Sequence, residues 1–474
     1  MKELIESTFE GYLWNLVQYK RVRSVYVLSR DGTPELYAKI CHPDSPLRKL
    51  QNMAFPKTVK EVRLLRKLRD SGLAVPEVAA HLRQRFESAL VTRAVHPCTA
   101  LTSLPEDRQI EIMLTVAARL LEKGFFYRDC HAGNIVLNGA GEPVLVDAYA
   151  VQPVSSMREG HLIRLFGQIT SAYRVPDRIL KRYVDDLLPG RDTLDVVEAI
   201  QNKGLLSRRR LVHRRMNRTL RDGSFSQERK TATYRAFISR NHTLSLDEVI
   251  ARHERNLAER DNVLKYQEKT QLSTVGDLCV KSYAKPKPLC SAYALRSWKG
   301  LMILFFNRIP VAEPVAVVVR KDGTSILITG LIPERDLNRV LYHDYPSMSV
   351  REKLAIAREL GRLIGAMHGY RIYHADLKTS NIKVLRNPVS FVLMDTDKVS
   401  QARSLSRRKR IKNMVQINTT IPRHVSRSMR MAFIHAYAEV TGDDPRDLFC
   451  SVWKVSSRMT IAYRTDEGDR SERW

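Results

Sequence analysis

Ile372–Val384 reads IYHADLKTSNIKV, and a short turn later Phe391–Asp395 reads FVLMD. An aromatic residue precedes Asp376, Asn381 follows five residues later, and an apolar run continues from it. A second apolar run ends in Asp395, 14 residues past the asparagine. This order predicts a tight loop, a short strand, a turn and a second short strand.

The order recurs. Phe126–Leu137 reads FYRDCHAGNIVL and Val144–Asp147 reads VLVD, with Asp129, Asn134 and Asp147 at matching places and 13 residues between the last two. Upstream of each loop lies a segment with helical periodicity, Ile110–Leu121 stopping near Gly124 and Leu354–His368 stopping at Gly369, which reads as a C′ glycine. Further upstream each copy has a strand-like segment carrying a lysine: Lys39 in ELYAKI, and Lys281 in DLCVKSY. The lysine precedes the loop aspartate by 90 residues in the first copy and 95 in the second. Four landmarks in one order at similar spacing define a diverged internal repeat. We expect two domains, 1–205 (lobes about 1–95 and 96–205) and 206–474 (lobes about 206–335 and 336–474). Leu187–Asp192 is turn-rich, and the basic run Ser207–Arg218 links the halves or begins the second. A strand over TYRAFI (233–238) and a polar helix over Ser245–Gln267 are expected to open the second half.

The residue types suit phosphoryl transfer. One carboxylate must orient an acceptor hydroxyl and take its proton, hard oxygen ligands must hold magnesium between phosphates, and a cation must grip the phosphates. A D-x-x-x-x-N loop fixes the first carboxylate and an amide oxygen on one turn, and the second carboxylate arrives from the neighbouring hairpin.

On these residues the sequence resembles the protein-kinase-like superfamily, whose catalytic loop reads H-R-D-x-x-x-x-N. His374–Asn381 matches that loop well, and Tyr127–Asn134 looks like the small-molecule branch, with Tyr127 where that branch has His. The second half is further similar to the lipopolysaccharide core kinases, which phosphorylate heptose or Kdo sugars. It is so through Lys269–Val275, Cys279–Tyr283, Arg296–Trp298, Ile309–Pro314, Tyr373–Asn381 and the basic Arg407–Lys412. The first half is similar through Val59–Leu68, Gly72–Glu77 and its loop. The resemblance implies an α+β fold of tandem two-lobed protein-kinase-like domains using ATP and Mg2+. It places Asp129 and Asp376, with Lys378, in catalytic positions. Asn134, Asp147, Asn381 and Asp395 take the metal positions. Lys39 and Lys281 take the phosphate-gripping positions, with Glu61 as the partner of Lys39.

There are departures. Neither copy has a G-x-G-x-x-G loop, Asp147 and Asp395 are followed by Ala148-Tyr149 and Thr396-Asp397, and no acid lies between Asp277 and Glu313 to partner Lys281 from a helix. His131 and His374 read as structural hydrogen-bonders.

The remaining composition bounds the setting. The 474 residues are 43% hydrophobic and 27% charged, and 79 Lys+Arg against 51 Asp+Glu give a formal +28. That balance favours an anionic partner. Six scattered cysteines form no CxxC pair, which reads as reduced thiols in a cytosolic protein. The start of the chain lacks the apolar run of a signal peptide, and the longest apolar run, Leu301–Phe306, is far too short to span a bilayer.

We therefore expect an ATP-dependent kinase acting on a lipopolysaccharide core glycolipid, cytoplasmic and peripheral at the inner face of the inner membrane. The anionic surface would meet basic runs such as Arg407–Lys412, and no specific nucleic-acid partner is expected. The alternatives are a protein or small-molecule kinase, and a regulatory protein with one or both halves pseudokinase.

Overall fold

The computed structural model describes residues 1–474 except Met157, Asn387, Asp466 and Glu467. The chain divides into two units, Met1–Arg208 and Arg209–Trp474.

In the first unit, helix α1 (Lys2–Thr8) and strands β1 (Leu13–Lys20), β2 (Arg23–Arg30) and β3 (Thr33–Cys41) lead into helices α2 (Pro46–Ala54) and α3 (Lys57–Asp70), then β4 (Val78–Gln84) and β5 (Glu87–Arg93). The five strands form one antiparallel sheet in the order β1-β2-β3-β5-β4. Side chains alternate across a strand. On β3, Leu36, Ala38 and Ile40 enter a core with Ile5, Leu28, Ala89 and Val91, so Lys39, out of phase, leaves the other face. A helical part follows. It comprises β6 (Cys98–Ala100), α4 (Glu106–Glu122), β7 (Phe125–Tyr127), β8 (Ile135–Asn138), β9 (Pro143–Leu145), β10 (Val151–Pro153), α5 (Glu159–Ala172), α6 (Asp177–Leu187) and the first part of α7 (Thr193–Arg218). Its core joins Met113, Leu114, Leu165 and Phe166 from α4 and α5.

The second unit repeats this plan with a larger sheet. Strands β11 (Ser226–Lys230) and β12 (Tyr234–Ser239) precede helix α8 (Leu246–Glu259), β13 (Val263–Gln267), β14 (Thr270–Val275) and β15 (Leu278–Tyr283). Helix α9 (Tyr293–Phe306), β16 (Pro314–Arg320) and β17 (Ser325–Gly330) follow. The seven strands run β11-β12-β16-β17-β15-β14-β13. The helical part contains α10 (Leu337–Arg339), α11 (Val350–Gly369), β18 (Ile372–His374), β19 (Ile382–Leu385), β20 (Ser390–Leu393) and β21 (Val399–Gln401). It ends with α12 (Arg407–Asn418), α13 (Arg427–Thr441), α14 (Pro445–Ser456) and the hairpin β22 (Ile461–Thr465) and β23 (Gly468–Glu472). Both units are thus α+β, each pairing a sheet-based part with a helical part.

Two local expectations are corrected and a third is given its form. The polar helix from Ser245 stops at Glu259 rather than Gln267, because Arg260 and Asn262 adopt positive φ and turn the chain into β13. The basic run 207–218, read as linking the halves or beginning the second, forms the last turns of α7. Gly369 is not a C′ residue: it ends α11, and the left-handed position falls two residues later on Arg371, φ 59°. In the first unit Gly124 takes that place with φ 75°, a conformation glycine adopts at no steric cost.

Candidate active site

In each unit the loop aspartate follows a short strand that pairs with a strand beyond the second aspartate. β7 pairs with β10, Tyr127 opposite Val151, and β18 pairs with β21, His374 opposite Val399. The intervening hairpins also correspond, with Ile135 opposite Leu145 and Ile382 opposite Leu393. The loop closes alike in both: the Asn134 amide donates to His131 O at 3.0 Å, and the Asn381 amide to Lys378 O at 2.9 Å. The hairpin is then tied to the loop by Val146 N to Asn134 O, 3.0 Å, and Met394 N to Asn381 O, 2.8 Å.

In the first unit, Lys39 on β3 forms an ion pair with Glu61 on α3 and lies 3.4 Å from Asp147 Oδ1. Burial holds the Glu61 carboxyl above its ordinary range in spite of Lys39 beside it. Arg23 Nη1 stands 3.8 Å from Asp147 Oδ2. Asn134 Nδ2 donates to Asp129 O at 3.0 Å and to the Tyr127 hydroxyl at 2.8 Å, which leaves its Oδ1 as the end turned from those acceptors. Asp129 is exposed, with His131 Nε2 3.8 Å from its Oδ2.

In the second unit, Lys281 Nζ donates to Asp395 Oδ1 at 2.7 Å. Burial alone would depress the Lys281 ammonium, but Tyr283 and Asp395 outweigh it and hold the group above its usual range. Burial alone would raise Asp395, and Lys281 reverses that, so Asp395 stays a carboxylate below its ordinary range. Asn381 Nδ2 donates to Asp376 O at 2.8 Å. Lys378 Nζ lies 3.5 Å from Asp376 Oδ2. Lys281, Lys378, Asn381 and Asp395 line one cleft. Each unit thus presents a carboxylate and an amide oxygen beside a lysine, the hard-oxygen donor set that suits magnesium.

Sequence reading expected His374 as a structural hydrogen-bonder and missed the rest of the support beneath the loops. His374, fully buried, donates Nε2–H to Met394 O at 3.0 Å and accepts from Asp376 N at 3.3 Å on Nδ1. Burial lowers its pKa, so it stays neutral. Tyr127 does the same work by another route: its hydroxyl donates to Asp147 O at 2.7 Å. Burial lifts that phenol well above its usual range. Helices behind the loops supply amides. Gln168 on α5 donates to Tyr127 O at 3.0 Å and accepts from Cys130 N at 3.1 Å. On α12, Asn413 donates to His374 O at 2.6 Å and Gln416 to Ala375 O at 2.7 Å. No spacing rule marks these amides in a single sequence.

Helix α9 carries no acid, yet it reaches the segment that follows Asp395 by packing. Thr396 Oγ1 donates to Ser297 O at 2.8 Å, and a Cβ on Gly300 would overlap the carbonyl oxygen of Thr396.

Residues 252–437 match the model of the lipopolysaccharide kinase (Kdo/WaaP) family. No curated protein matches the chain. Among solved structures, the bifunctional kinase-methyltransferase WbdD is similar over 40% of this chain and 46% of that chain, with 16% identity and a TM-score of 0.29. WbdD with the kinase inhibitor LY294002 gives the same identity and TM-score, over 44% of that chain. The chain thus spans less than half the length of WbdD. The PknI kinase domain of Mycobacterium tuberculosis is similar over 41% of this chain and 97% of that domain, with 15% identity and a TM-score of 0.27.

Proposed function

We propose, from a second unit most of which matches the lipopolysaccharide kinase family, that the protein transfers the γ-phosphoryl group of ATP to a sugar hydroxyl, heptose or Kdo, of the lipopolysaccharide inner core. The observation that carries this reading is the convergence of Lys281, Asp395, Asp376 and Asn381 within or beside one cleft inside the matched residues. In it, Asp376 orients the acceptor hydroxyl and takes its proton as the new O–P bond forms and the bond to ADP breaks. Lys281 grips the phosphates, and Lys378 stands beside the transferred group. Asn381 Oδ1 and Asp395 would hold the metal. A magnesium ion held there would neutralise charge on the phosphoryl oxygens. By the same design we propose a second ATP site in the first unit, with Asp129 as base, Asn134 and Asp147 for metal, and Lys39 braced by Glu61.

A glycolipid acceptor lies in a bilayer, and among the described residues no helix is long and apolar enough to cross one. We therefore place the protein peripherally at the cytoplasmic face of the inner membrane, drawn there by its basic excess. Radiolabel from γ-labelled ATP, offered purified core glycolipid and a set of protein substrates, tests the reading. The expected result is label in the glycolipid. Label in protein alone makes the chain a protein kinase.

A further inference from the structure

Helix α2 of the first unit is turned the wrong way round for a soluble helix. Leu47, Leu50 and Ala54 recur at helical spacing on one face, with Met53 at its margin and Phe55 just past the end. This face points to water: Leu47 is 68% exposed, Leu50 57%, Met53 48% and Phe55 85%, and no residue of the helix is buried. The polar side holds the helix to the body. Asn52 Nδ2 donates to Phe86 O at 2.8 Å and to Ser88 Oγ at 3.3 Å, and Asp44, just before the helix, bridges Arg48 at 2.5 Å to Arg21 at 2.8 Å. Met53 O accepts from Arg83 at 2.7 Å. Between Ser45 and Lys60 the chain carries Arg48, Lys49, Lys57 and Lys60 and no acidic residue.

An apolar face of this kind loses free energy in water, and its flanking cations name the charge of what covers it. We infer that α2 and Phe55 form an interfacial anchor that inserts Leu47, Leu50 and Phe55 among the acyl chains of an anionic membrane, with the flanking lysines at the headgroups. A contact made by insertion differs from the electrostatic attraction of a basic surface, because high salt weakens the latter and leaves the apolar contribution in place.

Flotation of the full chain with phosphatidylglycerol-containing and with pure phosphatidylcholine vesicles tests the anchor. Binding to bare vesicles requires no turnover and no glycolipid, so this experiment and the acceptor reading fail separately. We expect the chain to float with anionic vesicles. The variant Leu47→Ser/Leu50→Ser/Phe55→Ser should partition about tenfold less or weaker still, with an unchanged melting temperature, since the replaced side chains touch water rather than core. Leu50→Glu, which sets a like charge against the lipid, should weaken binding in the same direction and serves if the triple variant fails to fold. Undiminished flotation of the folded variants overturns the proposal, as does a parent chain that binds neither vesicle. A variant that loses a dimer by sedimentation while floating as before also overturns it, and assigns the face to a second copy of the chain.

Discussion

At the scale of single residues the two loops solve one problem with different side chains. A hydrogen-bond donor two residues before the loop aspartate reaches the backbone at the second aspartate: His374 bonds Met394 O, just before Asp395, and Tyr127 bonds Asp147 O itself. Tyr127→Phe removes that donor from a buried site, strands Asp147 O and leaves Asn134 Nδ2 only its bond to Asp129 O, at a cost of about 1–3 kcal/mol. We expect ATP-dependent transfer by the first unit to fall about tenfold or more while Tyr127→His restores most of it, read by initial rates on the full chain with Asp376→Ala in the background. Gly300 is a second such point. Any Cβ there meets backbone rather than a flexible side chain, so Gly300→Ala must push α9 off the Thr396 segment. The expected outcome is about 1–3 kcal/mol of lost stability in thermal melting and weaker transfer by the second unit, because Asp395 is the residue next door. The matching acids and amides of the two copies were visible from spacing, and their roles only through the resemblance; the tyrosine substitution was visible as a departure, but its hydrogen bond was not. Gly300 gave no signal in the sequence, because a close approach between two segments 96 residues apart depends on the packed fold.

At the scale of elements, the helix behind each loop fixes its geometry. In the second unit the chain of contacts runs from Tyr437 through His368 Nδ1 at 2.9 Å, from His368 Nε2 to Asn413 Oδ1 at 3.1 Å, and from Asn413 to His374 O. Burial pushes His368 down to about 4, and His253, packed against Ser273, also to about 4. Both are therefore neutral in the fold, whereas the unfolded chain protonates near its ordinary value of about 6.5. The unfolded state then binds more protons between those values, so stability rises with pH across about 4 to 6.5 and is lost as pH falls through that window. We expect the melting temperature of the chain to drop steadily below pH 6.5, and His368→Gln, less stable at neutral pH, to show a shallower slope. An identical slope in the variant would remove His368 from the account. Helix ends read from periodicity held to within a residue at α4 and α11, whose apolar stripes bury a core face, although both helices begin earlier, at Glu106 and Val350. They failed after α8, where Arg260 and Asn262 take left-handed φ without a glycine to announce the turn. The α2 face escaped periodicity reading, because a stripe of Leu at helical spacing gives no sign of whether it points in or out.

At the scale of the whole molecule, charge and duplication set the behaviour. The basic cluster of α12 is partly committed to the fold: Arg407 pairs with Asp447 and Arg410 with Asp443, while Arg408 and Lys412 are exposed. Replacing Arg408 and Lys412 with Gln is thus the clean test of electrostatic docking. We expect weaker flotation with anionic vesicles at low salt, about 1 kcal/mol per residue, and no change in melting. The same change in Arg410 would loosen α12 and confuse the two effects. The duplicated plan itself was readable, because four landmarks repeat in one order. The extra strands of the second sheet were not, since β11 (SQERK) is wholly polar and β13 lies inside the segment read as a helix to Gln267.

We propose that each unit holds its own phosphoryl-transfer site, built on Asp129 in the first and Asp376 in the second. The most direct measurement follows label from γ-labelled ATP into purified core glycolipid, using the full chain, Asp129→Ala, Asp376→Ala and the double variant, all matched for melting temperature. We predict that each single variant loses one phosphorylation activity by about 10²- to 10⁴-fold, the range for a positioned base, and that only the double variant is inert. A folded double variant that transfers label as fast as the parent would contradict the account.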